Sequence, residues 1–126
     1  MTIHNPALLP KCRSEALTRS AQGQPCAIRC ASFVPGGRCA DASTVVFCHM
    51  PAPNKSMAAK SSDHWGAFGC LHCHDIADGR DRKGADYIAA HYPTAMMERL
   101  MMAVWETQSR WLAMGLMTGP DWEIGK

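Results

Sequence analysis

The sequence predicts an α+β fold, and three observations carry that reading. Thr44-Val45-Val46-Phe47-Cys48-His49 is β-branched and aromatic, the composition of a strand. Phe68 to Arg82, FGCLHCHDIADGRDR, gathers Cys70, Cys73, His72, His74, Asp75 and Asp78 into the length of a short helix. From Thr94 to Met117 the residues Met97, Leu100, Met101, Val104, Trp111, Leu112 and Gly115 recur at helical spacing and define one apolar face of a long helix. A chain of 126 residues holds one domain with one modest core. Its expected limits are a mobile extension over 1–13, a domain over 14–118 and a tail over 119–126.

In chain order, Ser14 caps a short helix of Glu15, Ala16, Leu17 and Arg19 that Gly23 and Pro25 end. Cys12 lies at the edge of the extension as a bystander. Cys26 to Cys30 reads as a strand that pairs with Thr44–His49 as a hairpin, with a turn at Phe33-Val34-Pro35-Gly36-Gly37. Pro51 and Pro53 stop the second strand, and Lys55 to Gly69 is a long polar loop, a length that favours a functional role. A helix follows from Cys70 to Ala77, ended by Gly79, then a turn or two over Ala85–His91. Thr94 caps the long helix, and Gly119-Pro120 ends it. Its methionines read as core filler.

The totals exclude some classes. At 47% hydrophobic and 19% charged residues the chain is not disordered throughout. A net charge of +2 makes no case for nucleic acid by itself, so any such case rests on where the charges sit. There is no signal-like start and no run of about 18 apolar residues, so the expected location is cytoplasmic, without a membrane partner. Seven cysteines cannot all pair, and in a reducing compartment thiols at metal spacing serve metal.

Cys70-Leu71-His72-Cys73 is the spacing with which one turn of backbone clamps zinc, given a second pair of ligands from upstream. Cys26 and Cys39 complete a structural Zn²⁺ site in this reading, and Cys30 competes with Cys39 for its place. Cys70-x-x-Cys73-His74 is also the attachment pattern of a c-type haem, but that leaves Cys26, Cys30, Cys39 and Cys48 without a role.

With zinc on the thiolates, His49 at a strand end and His74 on the next helix are free for chemistry. Strand, loop and helix with facing imidazoles is the arrangement of ββα-metal nucleases. Phosphodiester hydrolysis needs a base and a cation, and an imidazole titrating near pH 6.5 suits the base. His49 is the expected base; His74, with a loop carboxylate such as Asp63, is expected to hold one Mg²⁺ or Mn²⁺ ion. Lys60, Arg80, Arg82 and Lys83 are placed to meet phosphates, which carry no sequence information. The alternative keeps the zinc and drops the catalysis, leaving a module that binds nucleic acid or protein. A homodimer through the C-terminal helix would be marked by exposure of Trp105 or Trp111.

Cys26-Ala-Ile-Arg, Pro35-Gly36-x-x-Cys39, the strand ending in His49, Met57-x-x-Lys60-x-x-Asp63, Cys70-x-x-Cys73-His74-Asp75-x-x-Asp78 and Thr107-Gln108-x-x-Trp111-Leu112-x-x-Gly115 follow one another in order. Across roughly Ala16 to Met117 the chain thereby resembles the YbcO-like nucleases of lambdoid prophages. The resemblance implies a small zinc-stapled ββα-metal core (HNH-like, His-Me finger) with a long C-terminal helix. It further implies a phage-associated, metal-dependent endonuclease acting on DNA, with His49 as its catalytic histidine. Cys30 and Cys48 are thiols that this pattern does not call for, and Asp63 or His64 stands in for the usual Asn.

Overall fold

Strand β1 (Val46–His49) pairs antiparallel with β2 (Gly66–Gly69), Val46 opposite Gly69 and His49 opposite Gly66, in a two-stranded sheet. The structure is a computed structural model that describes residues 2–54 and 60–125. Lys55 and Met57, singled out in the sequence, lie outside the described residues. Cys26–Cys30 is not the partner of β1. Arg29 has φ 46°, a left-handed conformation that interrupts an extended chain, and the amides of Ala27 and Ile28 both donate to the Phe68 carbonyl oxygen. The expected polar loop therefore closes with a buried strand. Gly66-Ala67-Phe68-Gly69 lacks β-branched residues because its glycines are held at close approach: a Cβ on Gly69 would stand 2.7 Å from both Cys48 Sγ and Ile28 Cδ1.

Helix α1 (Glu15–Arg19) starts where Ser14 Oγ accepts from the Leu17 amide at 3.3 Å, and it buries Leu17. Helix α2 (Leu71–Ala77) follows β2 directly and ends before Gly79, whose φ of 83° a side chain would resist. Helix α3 (Arg82–His91) begins earlier than its apolar residues suggest, because Asp81 caps it through the Gly84 amide at 2.9 Å. Helix α4 (Pro93–Met114) takes Pro93 at its first turn rather than a Thr94 cap, and ends at Gly115, φ 74°, ahead of Gly119-Pro120.

α4 lies on β2 and buries Ala103, Val104, Thr107 and Trp111, with Met96 and Leu100 packed against the same core. The expected face is rotated from this one. Met97 is 72% exposed and Met101 68%, so most of the methionine stripe is surface rather than core filler. Thr107 takes a central position because its Oγ1 accepts from the buried Phe68 amide at 3.0 Å. Trp111 is fully buried between Phe47 and Phe68 and donates from Nε1 to Ser20 Oγ at 2.7 Å, while Trp105 is exposed. No helix among the described residues is long and apolar enough to cross a membrane.

Candidate functional site

Cys26, Cys39, Cys70 and Cys73 converge from a loop, a second loop and the first turn of α2, their four sulfurs all within 4.8 Å of one another. Four sulfurs about 2.3 Å from a tetrahedral Zn²⁺ stand roughly 3.8 Å apart. Cys39 Sγ and Cys73 Sγ are 3.7 Å apart. The amides of Arg29 and Cys70 donate to Cys26 Sγ at 3.4 and 3.3 Å, and those of Ala40 and Cys73 to Cys70 Sγ at 3.3 and 3.5 Å. Backbone N–H groups aimed at sulfur favour the thiolate, the form that ligates metal. The left-handed Arg29 belongs to this arrangement, and its guanidinium is anchored on Glu106 of α4 at 2.8 Å. These four cysteines can bind a structural metal such as zinc. Cys30 stands outside the group, its thiol donating to the Cys73 carbonyl oxygen at 3.8 Å.

Three of the four thiols, Cys26, Cys39 and Cys73, resist ionisation. A hydrogen bond with Cys73, followed by burial, pushes Cys26 up to about 12. Burial, followed by the charge of Cys26, pushes Cys39 up to about 11. At Cys73 the Cys26 hydrogen bond works downward, but Cys30 and burial outweigh it and the thiol is raised. A bound divalent ion reverses this balance and deprotonates coordinating thiols. Burial also pushes Cys48 up to about 12, the condition of an unreactive thiol.

His49 ends β1, and its Nε2 lies 2.8 Å from Asp63 Oδ1, both side chains being almost buried. Desolvation would raise the Asp63 carboxyl, but the His49 hydrogen bond, the Ser14 amide and the charges of His49 and Arg13 together lower it. A carboxylate only accepts, so whenever the ring is neutral Nε2 carries the proton and Nδ1 is the bare nitrogen. The Phe47 ring meets the imidazole edge on, 4.9 Å between centroids, and further limits its rotation.

His74, one residue beyond the zinc-spaced pair, lies on α2 with Nε2 3.6 Å from Asp78 Oδ2, one helical turn on. His49, His74, Asp78 and Cys48 line one cavity of about 300 Å³. Asp63, expected beside His74, is engaged by His49, Arg13 and Ser14, and the carboxylate beside His74 is Asp78. Of the basic residues, Arg80 is paired with Asp78 at 3.4 Å, whereas Lys60 and, at the start of α3, Arg82 and Lys83 are exposed.

The sequence marked Ser14 only as a helix cap and placed Arg13 in the extension expected to be loose, yet both grip Asp63. Nothing in residues 12–14 announces this, because the grip joins backbone groups of Cys12 and Ser14 and the Arg13 guanidinium to residues some fifty positions away. Asp78 carried a signal, four residues after His74 on one helical face.

A family model described as "Putative nuclease YbcO" matches residues 15–116. Neither the comparison with curated proteins nor that with solved structures gives a match.

Proposed function

We propose, from the premise that this chain belongs to the YbcO nuclease family, that it is a metal-dependent, HNH-like endonuclease that hydrolyses phosphodiester bonds in DNA. The observation that carries the reading is that His49 from β1 and His74 from α2 line a single cavity. The order β1, β2, α2 supports a ββα-metal core. The cysteine cluster serves this core by tying α2 to the loops at Cys26 and Cys39, so that the helix bearing His74 is fixed against the strand bearing His49.

His49 is the general base in this mechanism. Its Nδ1 takes the proton of a water whose oxygen adds to phosphorus as the phosphorus–oxygen bond to the leaving group breaks. Asp63 holds the ring on its other nitrogen and stabilises the imidazolium that forms, and the leaving oxygen is protonated from solvent. His74 and Asp78 would hold one Mg²⁺ or Mn²⁺, their donor atoms being 3.6 Å apart at the cavity wall. When bound, such an ion neutralises charge developing on the phosphate. Lys60, Arg82 and Lys83 meet the strand backbone outside the cavity, and Arg80 orients Asp78.

The test is a nicking assay on supercoiled plasmid, with linear, single-stranded and branched DNA in parallel, using zinc-loaded protein with and without Mg²⁺ or Mn²⁺. Cleavage that depends on the added ion supports the proposal. Folded, zinc-loaded protein that binds these DNAs and cuts none of them would instead make the chain a non-catalytic zinc module.

A further inference from the structure

We infer that Arg13 is a positioning residue for the His49 base: its guanidinium and the neighbouring Ser14 amide seat Asp63 so that the carboxylate meets His49 Nε2. The inference rests on the nuclease reading for its kinetic consequence, but its geometry stands apart from it. Arg13 and Ser14 also precede the part of the chain that the family model matches.

Residues 12–14 lie across residues 60–63 as a strap. The Asp63 amide donates to the Cys12 carbonyl oxygen at 2.8 Å, and the Cys12 amide to Ser62 Oγ at 3.0 Å. Arg13 Nη1 donates to the Ser61 carbonyl oxygen at 2.6 Å and lies 3.5 Å from Asp63 Oδ1, while Nη2 donates to the Lys60 carbonyl oxygen at 2.8 Å. The Ser14 amide occupies Asp63 Oδ2 at 2.8 Å. Both carboxylate oxygens are thus held, and the chain leading into Asp63 is clamped at the carbonyls of Lys60 and Ser61. The clamp reaches β1 as well, since Ser61 Oγ donates to the carbonyl oxygen of Met50, the residue after His49.

The Asp63 side chain is only 10% exposed, whereas Arg13 is 50% exposed. A carboxylate in that position needs fixed partners to stay ionised, and an ionised carboxylate is what selects the Nε2–H tautomer of His49. A planar guanidinium reaches two carbonyls and a carboxylate together; a lysine ammonium supplies the charge without the fork. Without Arg13, Asp63 keeps its Ser14 hydrogen bond but loses the clamp on its backbone, and the histidine loses a single preferred orientation.

The experiment compares the parent with Arg13→Ala, Arg13→Lys and the surface control Arg19→Ala, whose only ion pair is with exposed Glu15 among the described residues. Each zinc-loaded protein is read by the ¹⁵N shifts of the His49 ring and by kcat and KM for plasmid nicking. In Arg13→Ala the ring is expected to pass from one tautomer to a mixture. Its kcat is expected to fall on the order of 10- to 100-fold, the scale of a misplaced reacting group, at unchanged KM and zinc content. Arg13→Lys recovers part of the loss and Arg19→Ala shows none. If Arg13→Ala does not fold, Arg13→Lys decides, because a parent-like tautomer and kcat there overturn the role of the fork. Parent-like ring shifts in Arg13→Ala overturn the inference outright. A parent that cuts no DNA refutes the nuclease reading alone, since the ring shifts still decide whether Arg13 sets the tautomer.

Discussion

The His49 ring is held by Asp63, Nε2 to Oδ1 at 2.8 Å, although fourteen residues separate them and neither belongs to the cysteine cluster. This pair places the candidate base under the control of the loop that closes the two-stranded sheet.

Acid should reveal the pair. Asp63 is lowered from its ordinary value of 3.8 in the folded protein, so the unfolded chain binds its proton more readily. Its contribution to stability is complete above that ordinary value and is lost as pH falls through the lower folded value. Urea unfolding between pH 2 and 6 should show Asp63→Asn less stable than the parent at pH 6, with the gap closing below about pH 4. A gap constant with pH would contradict the pairing.

The cysteines separate into a cluster of four that can bind metal and others that stand outside it. Cys73→Ser should lose zinc and most of the fold, because metal binding contributes roughly 10–16 kcal/mol to folding in small zinc domains. Cys30→Ala should retain one zinc per chain and lose only the stability of a small cavity, about 1–2 kcal/mol. Metal analysis with thermal melting checks both. Loss of zinc from Cys30→Ala and retention by Cys39→Ala would reverse the assignment.

Two positions test the fit of α4 on β2. Thr107→Val keeps the shape but leaves the buried Phe68 amide without its acceptor, an expected cost of about 1–3 kcal/mol. Gly69→Ala drives a methyl group into Cys48 Sγ and Ile28, with a similar expected loss from overpacking. Denaturant titration measures both, and a neutral Gly69→Ala would contradict the close approach.

Much of the cysteine cluster was legible in the sequence, and much of the sheet was not. Cys70-x-x-Cys73 announces itself by spacing, and Ser14 and Gly79 mark helix ends by local backbone chemistry that survives in any context. β2 was hidden because the close packing that makes it a strand forbids side chains at Gly66 and Gly69, which removes the residues by which strands are recognised. On α4 the periodicity was real but its phase was not: Met97 and Met101 look more apolar than Thr107, yet Thr107 is buried because of an amide on another element. Cys26–Cys30 read as extended because the residue types there do not announce the left-handed Arg29, whose amide donates to the sulfur of Cys26. Asp63 carries the right chemistry, but its partner depends on how a long loop closes, which neighbouring residues do not encode.

Electrostatics bears on the substrate. Replacing exposed Arg82 and Lys83 together with Glu should weaken DNA binding without regard to sequence. It should also flatten the fall of affinity with salt by about one unit of log–log slope for each phosphate no longer neutralised. Fluorescence anisotropy across a salt series measures this. An unchanged slope would move the strand path away from α3.

The central claim is that His49 and His74 act on one phosphate from two sides of one cavity. The most direct measurement is the rate of plasmid nicking by His49→Ala, with zinc content and melting temperature confirmed against the parent. The expected result is a loss of at least about 100-fold, the usual contribution of a general base, with zinc and fold intact. Nicking at the parent rate would contradict it.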